Sequence, residues 1–189
     1  MSAERAAAAA DIEALAERLG PGAVADVSHR GHAAAIVDRA RLLEAATALR
    51  DELGYQLLRS VTALDLAPAR PRFQAVYHFA ALPAHVVDGD PVPRPNDPAR
   101  ELRIKVPLED DDLRIDSLTA VYPTANFHER ETYDMFGVQF DGHPDLRRIL
   151  LPDDFDGHPL RKDHPLVYEP VAFTHNEAAI ALRKPLARE

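Results

Sequence analysis

Apolar residues recur at the spacing of an α-helix near the start of the chain. In residues 2–19 they lie three or four positions apart, and the stretch stops at Gly20-Pro21, which commonly ends a helix. Two short apolar runs follow, residues 23–27 and 33–37, with a glycine-containing turn between them. We therefore predict a first helix and then a β-hairpin. The apolar positions of the helix are Ile12, Leu15 and Leu19.

A second helical pattern begins after Asp38, whose side chain can cap a first helical turn. It ends before Gly54, because glycine readily takes the left-handed conformation found at helix exits. The apolar positions share one side of this helix and should face the core. They are Leu42, Leu43, Ala46, Leu49 and Leu53.

Three longer segments are rich in β-favouring residues and predict the main strands of a sheet. They are residues 55–64, 73–82 and 102–108. The last two are separated by residues 88–100, where several prolines remove backbone donors and favour extended chain. We expect a mobile loop there, joining two antiparallel strands. The prolines are Pro91, Pro93, Pro95 and Pro98.

The following segment alternates short elements with turns. Residues 109–112 are acidic and predict a solvated turn before the next helix. A short helix is expected over residues 118–122, and another from a Thr124 cap to Gly137. A brief strand is then expected at residues 138–140.

Beyond residue 140 the periodicity fades. Prolines interrupt residues 141–189 so often that no long element fits, yet apolar residues are too frequent there for a disordered linker. An extended apolar tail must lie against something, either the chain's own domain or another subunit. We predict a single α+β domain over residues 1–140, with a small mixed or antiparallel sheet packed by helices, followed by an extended C-terminal tail.

Composition narrows the function classes. The length of 189 residues suits one domain, and a net charge of −9 disfavours nucleic acid and anionic membrane surfaces as partners. The absence of cysteine excludes thiolate nucleophiles and cysteine-bound iron–sulfur clusters, so any electron carrier must belong to another chain. No apolar run approaches the ~20 residues of a membrane-spanning helix, and no secretory signal is evident, so we expect a cytoplasmic protein.

One pentapeptide occurs twice. Phe140-Asp141-Gly142-His143-Pro144 returns as Phe155-Asp156-Gly157-His158-Pro159, and each copy is followed closely by a Leu-Arg step. A charged triplet, Glu129-Arg130-Glu131, precedes both copies. A segment this short with so many charged residues and two Gly-His-Pro turns is unlike one that packs in a hydrophobic core. We interpret this region as a docking surface.

The two glutamates of the triplet fall between aromatic and apolar positions when the segment is drawn as a helix. Arg130 and Asp134 are four residues apart and can pair within that helix. Glu129 and Glu131 then remain for other cations, because an unpaired buried charge is costly. Two interpretations follow, an ion-pair lattice that fixes a fold or interface and a pair of carboxylates for acid–base catalysis; we favour the lattice, because no nucleophile or metal set accompanies the pair. The candidate cations are Arg147, Arg148, Arg161 and Lys162.

Nine histidines raise the question of a metal site. None of the best candidates has a tight ligand spacing, and each histidine among them precedes a proline. Glycine before and proline after more simply set a turn, so we predict no metal site. The candidates considered are His143, His158, His164, Asp156 and Asp163.

Three runs, residues 125–138, 142–150 and 157–163, together resemble the signature of the 30 kDa subunit family of NADH-quinone oxidoreductase (respiratory complex I). Weaker similarity extends upstream through residues 57–65 and 73–82. The residues that carry the signature, and that the resemblance assigns to a subunit interface, are Glu129, Arg130, Glu131, Asp134, Gly137, Gly142, His143, Pro144, Arg147, Gly157, His158, Pro159, Arg161, Lys162 and Asp163.

The resemblance implies a cofactor-free assembly subunit in the hydrophilic arm of a proton-translocating enzyme, held at the cytoplasmic face of the cell membrane. Its domain would pack on the large 49 kDa-type subunit, and its tail, residues 141–189, would dock along the surface of that subunit. The small subunit that carries the terminal iron–sulfur cluster would be a further neighbour. FMN and iron–sulfur clusters are expected in partner subunits. The chain would support the quinone-reduction module and have no catalytic activity when isolated.

Two alternatives remain open at this point. The equivalent subunit of a membrane-bound hydrogenase, or of a ferredoxin- or F420-linked complex, would share the same module. A free-standing soluble enzyme using Glu129, Glu131 and His143 would belong to a different class and would be active as a purified chain.

Overall fold

A computed structural model describes residues 3–30, 32–82, 84–87, 90–93 and 100–165. It contains a five-stranded mixed sheet with helices packed on one face, which confirms the predicted α+β class. Among the described residues, no helix is both long and apolar enough to cross a membrane.

The N-terminal elements follow the predicted pattern. Helix α1 (Ala3–Leu19) leads into an antiparallel hairpin of β1 (Val24–Asp26) and β2 (Ala33–Val37). Asp38 then accepts a hydrogen bond from the Ala40 amide at 2.8 Å, as expected of a cap. The cap opens a short 3-10 turn, which continues directly into helix α2 (Leu42–Asp51).

Three nine-residue strands form the centre and one edge of the sheet. They are β3 (Leu57–Asp65), β4 (Phe73–Ala81) and β7 (Arg100–Leu108), and β4 pairs antiparallel with both of the others. Strand β2 joins β7 in parallel, so the sheet order is β1-β2-β7-β4-β3.

The prediction of a loop over residues 88–100 is wrong in part. Strands β5 (Ala84–Val87) and β6 (Asp90–Pro93) form a separate antiparallel ribbon, in which Pro91 and Pro93 both take part. Both strands of a two-stranded ribbon are edges, so a proline that lacks a donor can be accommodated there. Residues 94–99 lie outside the described part of the chain.

The segment before the third helix also differs from prediction. The acidic residues 109–112 do form a turn, but strand β8 (Arg114–Asp116) follows it, not a helix. Residues 118–122 make a single turn, closed by the Tyr122 amide on the Leu118 carbonyl at 2.7 Å, because Pro123 immediately stops its extension. Helix α3 (Ala125–Phe136) and strand β9 (Gln139–Asp141) follow, and β9 pairs in parallel with β8.

The core lies between the helices and one face of the sheet. On β7 the residues Leu102, Ile104 and Val106 are fully buried, whereas Arg103 and Lys105 between them are only half-buried. The alternation on this strand therefore separates a helix-covered face from a face that no described helix covers. The predicted inner face of α2 is buried at Leu42, Ala46 and Leu49, but Leu43 is exposed.

Candidate functional site

The C-terminal segment (residues 141–165) has no regular secondary structure beyond β9 and lies against helix α3 of the same chain. The last carbonyls of a helix have no partner within the helix. Here the Asp134 carbonyl bonds to His158 Nδ1 at 2.9 Å, and the Met135 carbonyl accepts from the Leu160 amide at 3.2 Å. The Phe136 carbonyl accepts from Arg161 Nε at 2.7 Å. The second pentapeptide and the residues just after it therefore cap the C-terminus of α3.

Gly137 is the predicted helix exit and allows this capping. Its φ of 77° is left-handed, as the sequence indicated. A Cβ at this position would lie 2.5 Å from His158 Nε2 and still closer to the Arg161 guanidinium. Glycine is therefore needed here both for the backbone conformation and for the approach of the two capping side chains.

The first pentapeptide contacts the opposite end of α3. His143 Nε2 lies 3.1 Å from the Asn126 carbonyl in the first helical turn. Its Nδ1 accepts from the Asp145 amide at 3.0 Å, so the hydrogen is carried by Nε2. His158 instead donates to the helix from Nδ1. The two copies thus bind the two ends of α3 through different ring nitrogens, and each contact uses the turn made by Gly-His-Pro.

Asp134 anchors the middle of the C-terminal segment. Its side chain is completely buried and accepts from Arg148 Nη1 at 2.8 Å. Three consecutive amides, those of Ile149, Leu150 and Leu151, donate to its other oxygen at 3.1, 2.8 and 2.9 Å. Burial alone would raise the pKa of Asp134, but these donors outweigh it and hold the pKa below its usual range.

Arg148 extends the same network. Its Nη2 donates to the carbonyls of Phe155 and Gly157 at 3.1 and 3.2 Å. The Arg148 guanidinium therefore links the buried Asp134 carboxylate to the backbone at Phe155 and Gly157. Asp134 is thus a buried carboxylate paired with an arginine of the C-terminal segment.

The predicted pair between Arg130 and Asp134 is wrong. Arg130 donates to the carbonyls of Arg147 and Arg148 at 3.2 and 3.3 Å, because Asp134 is buried and already occupied by donors from the C-terminal segment. Arg147 itself pairs with Asp145 at 2.9 Å, with both side chains exposed.

Glu129 is buried without a cation, which overturns the ion-pair expectation for this residue. Its carboxylate accepts from the Ser117 hydroxyl at 2.6 Å and from the Leu118 amide at 2.7 Å, both just beyond β8. Burial raises the pKa of Glu129 to about 7, against the opposing effect of these two donors. The Tyr77 hydroxyl is also buried, with no hydrogen-bond partner in the described part of the chain, and burial raises its pKa well above the usual range.

Glu131 lies on the exposed side of α3 and makes no ion pair with the described side chains. None of the four predicted cations therefore binds either glutamate of the triplet. They are held by other acceptors: Arg148 by Asp134, Arg147 by Asp145, and Arg161 and Lys162 by the carbonyls of Phe136 and Ala67.

A second anchor, which the sequence did not reveal, lies where β3 ends. Asp65 accepts from Arg72 at 2.6 Å and from the Lys162 amide at 2.8 Å, and Arg72 also pairs with Asp163 at 3.0 Å. The Arg72 guanidinium holds the pKa of Asp65 well below its usual range. About a hundred residues separate Asp65 from Lys162, and no local pattern marks such a contact.

Several large apolar side chains are exposed on α3 and the C-terminal segment, among charged residues. Leu150 is 62% exposed, Leu160 55% and Phe127 64%, although the amides of both leucines are fixed by α3. Large apolar side chains on a rigidly held, solvent-exposed backbone are typical of a protein interface. We refer to Phe127, Ile149, Leu150 and Leu160 as the apolar surface.

The histidines of the site have structural contacts. Across the described ranges, no three His, Asp or Glu side chains are placed to hold a metal ion together. His164 packs beside the Phe155 ring at a centroid distance of 5.9 Å, and Asp163 is held by Arg72. Asp156, which was also considered as a metal ligand, has an exposed side chain.

Solved structures of other proteins share this fold. A chain of the membrane-bound sulfane sulfur reductase, an archaeal respiratory membrane complex, shares it with a TM-score of 0.65 over 84% of this chain and 85% of that one, at 20% identity. A trypsin-resistant fragment of Nqo5 aligns with a TM-score of 0.55 and 30% identity, covering 72% of this chain and 97% of the fragment.

Residues 35–170 match the family model for the respiratory-chain NADH dehydrogenase, 30 Kd subunit, and the chain belongs to this family. It is 38% identical to the corresponding NADH-quinone oxidoreductase subunit of Roseiflexus sp. (strain RS-1), over 94% of this chain and 95% of that protein. It is 46% identical to the same subunit of Herpetosiphon aurantiacus, over 81% and 82% of the two chains. The predicted family membership is confirmed.

Proposed function

We propose that this chain is a cofactor-free docking subunit in the hydrophilic arm of an NADH-quinone oxidoreductase, where it supports the quinone-reduction module. The observation that carries the proposal is the apolar surface on the C-terminal segment. Three backbone amides on Asp134 and three caps on α3 hold a segment without regular structure in one conformation. A preorganised segment loses less conformational entropy when a partner binds it.

The same contacts argue against a catalytic role for the charged triplet. Glu129 has no exposed surface, and Glu131 is two positions along the helix and therefore on a different side. His143 is bound to the Asn126 carbonyl through one ring nitrogen and to the Asp145 amide through the other. These three side chains do not converge on a common reaction site, so we assign the chemistry of the complex to other subunits.

The proposed partners are the 49 kDa-type subunit, which would contact the apolar surface, and the small subunit that carries the terminal iron–sulfur cluster. FMN and the clusters would belong to the partner subunits, since this chain has no cysteine with which to bind a cluster. The complex would place the chain at the cytoplasmic face of the membrane. The names of the two bacterial relatives favour an NADH-linked complex over a hydrogenase or a ferredoxin- or F420-linked one.

The test is purification of the full chain, tagged at its N-terminus, from gently solubilised native membranes. The co-purifying subunits are identified by mass spectrometry, and NADH-to-quinone activity is measured on the same fraction. We expect the 49 kDa-type and iron–sulfur subunits together with NADH oxidation. The Leu150→Asp variant, which replaces an exposed apolar side chain, should recover less of both.

A nickel-containing or ferredoxin-linked assembly would replace the proposed function with that of a related complex. An isolated chain that oxidises NADH by itself would overturn it. A matched control is Leu43→Asp, because Leu43 is an exposed leucine on α2, outside the apolar surface. Equal losses of the complex from both variants would remove the link between the apolar surface and assembly.

A further inference from the structure

The face of the sheet opposite the helices carries two cations that have no partner among the described residues, in an otherwise acidic protein. Among the arginines whose side chains are described, all except Arg30 and Arg103 bond to a carboxylate or a carbonyl. Of the two described lysines, Lys162 bonds to a carbonyl, whereas Lys105 makes no ion pair or side-chain hydrogen bond with any described residue. Arg30 is an exposed loop residue, but Arg103 and Lys105 are half-buried in the sheet.

The strand register places these two cations side by side. Arg103 lies between His78 of β4 and Ala34 of β2, and Lys105 lies between Val76 and Ile36 on the same strands. Two positions on one strand are about 7 Å apart and point to the same face. Ala34, Ile36 and Val76 bring no charge to the two cations, and Glu101, two positions before Arg103 on the same face, already pairs with Arg59.

A depression of about 480 Å³ opens on this face beside Arg103. Glu101, the one acidic side chain among its described lining residues, already pairs with Arg59 from the bulge of β3. Ser60 and His78 bond to each other at 2.7 Å, and burial together with the Arg103 charge lowers the pKa of His78. The polar residues that line it are His32, Arg59, Ser60, His78, Glu101 and Arg103.

A half-buried cation has lost part of its hydration, so it attracts a partner of opposite charge more strongly than a fully exposed cation does. A nucleic acid or an anionic membrane would require a larger basic cluster and would be repelled by the net charge of −9. Two carboxylates at alternate strand positions, or one helical turn apart, match the spacing of Arg103 and Lys105. The charge and spacing of these two side chains therefore favour an acidic polypeptide as the binding partner.

We propose that the open sheet face around Arg103 and Lys105 docks an acidic segment, carrying two nearby Asp or Glu side chains, from a neighbouring subunit of the complex. This interface rests on the proposed function and is separate from the apolar surface, which lies at α3 on the other side of the sheet. With both interfaces occupied, this small subunit would contact partners on two opposite faces and would bridge them.

The first test is zero-length carbodiimide crosslinking of the purified complex, which joins a lysine amine directly to a contacting carboxylate. We expect a peptide containing Lys105 to be joined to an Asp- or Glu-containing peptide of another subunit. A link from Lys105 to this chain's own carboxylates, or to a second copy of it, would overturn the proposal. So would a Lys105 that is acetylated equally in the complex and in the isolated chain.

The second test compares the Arg103→Glu variant with Arg30→Glu, each in the full chain produced in its native host. Each variant reverses one arginine, and the two differ in whether that arginine lies on the sheet face. We expect the first variant to be recovered in the complex about tenfold less than the second in moderate salt, because like charges would meet at the interface. Thermal unfolding of both isolated chains verifies that they fold.

Equal recovery of the two variants would overturn the interface while leaving the proposed function intact. If the tagged wild-type chain recovers no iron–sulfur subunit, the proposed function itself fails and the interface fails with it. Binding of inorganic phosphate by the isolated chain, abolished by Arg103→Glu without any Lys105 crosslink, would make the face a small-anion site and would also overturn the proposal.

Discussion

The buried carboxylate of Asp134 binds the Arg148 guanidinium at 2.8 Å, and its second oxygen accepts the amides of the three residues that follow that arginine. A single side chain on α3 therefore fixes both the charge and the backbone of the C-terminal segment. Because neither Asp134 nor Arg148 has much contact with water, the pair is sensitive to the loss of either charge.

Asp134→Asn should release the C-terminal segment. The variant leaves the largely buried Arg148 without a counter-charge and weakens three backbone bonds, so we expect a loss of about 3 kcal/mol in the free energy of unfolding. Urea denaturation measures the loss, and limited proteolysis should show new cleavage within residues 141–165. Asp145→Asn is the control, because its pair with Arg147 is exposed and worth less than about 1 kcal/mol. Similar losses for both would contradict the anchoring role.

Gly137→Ala should cost more stability than Gly142→Ala. Both glycines have a left-handed φ, 77° and 81°, so both variants carry the same backbone strain of about 1–2 kcal/mol. Only at Gly137 would the new methyl group displace His158 and Arg161 from the helix carbonyls, since the space at Gly142 is open. The difference between the two midpoints of thermal unfolding measures how much the His158 and Arg161 caps on α3 contribute to stability. Equal midpoints would mean that the caps contribute little.

The dependence of stability on pH should report Glu129. Because its pKa is raised from 4.5 to about 7 on folding, the folded state holds the proton more tightly than the unfolded chain. The contribution of Glu129 to the free energy of unfolding is therefore fully present below about pH 4.5. It is lost as the pH rises to about 7, a change of about 3 kcal/mol. Glu129→Gln, measured by denaturation at several pH values, should remove this decline and be more stable than wild type at high pH.

The exposed Glu131 provides the matching control for that experiment. Glu131→Gln removes the same charge from the same helix without a buried carboxylate, so the decline between about pH 4.5 and 7 should remain. Parallel pH profiles for wild type and Glu129→Gln over this range would show that Glu129 titrates normally in the folded chain; the comparison is between the two proteins because His78 and His158, whose pKa values are lowered, contribute with the opposite sign.

Charge reversal at Arg147 or Glu131 should reduce the amount of assembled complex and leave turnover per assembled enzyme unchanged. Both side chains are exposed at the proposed interface, and neither contributes to a buried network of the isolated chain. Native gels of solubilised membranes quantify assembly, and the NADH-to-quinone rate is normalised to it. Normal assembly with a selective loss of quinone turnover would move these residues toward the reaction path.

The elements of the domain could largely be predicted because their signals are local. The hairpin of residues 24–37, the Asp38 cap and the Gly137 exit all depend on a few neighbouring side chains and on backbone preferences. The β5–β6 ribbon was missed, because pairing between two edge strands tolerates prolines that a central strand would not. Residues 118–122 form one turn and not the predicted short helix, because Pro123 stops it at once.

In the candidate site, too, features set by local sequence could be predicted, whereas contacts between distant residues could not. The family and the two Gly-His-Pro turns could be inferred from the residues alone, because both follow from the identity and order of side chains along the chain. The folded chain was needed to show that Asp134 binds Arg148 in preference to Arg130, that Glu129 is buried without a cation, and that Asp65 anchors Lys162. Such partners depend on where the returning segment meets the helix and sheet, and burial then selects which charges can remain unpaired.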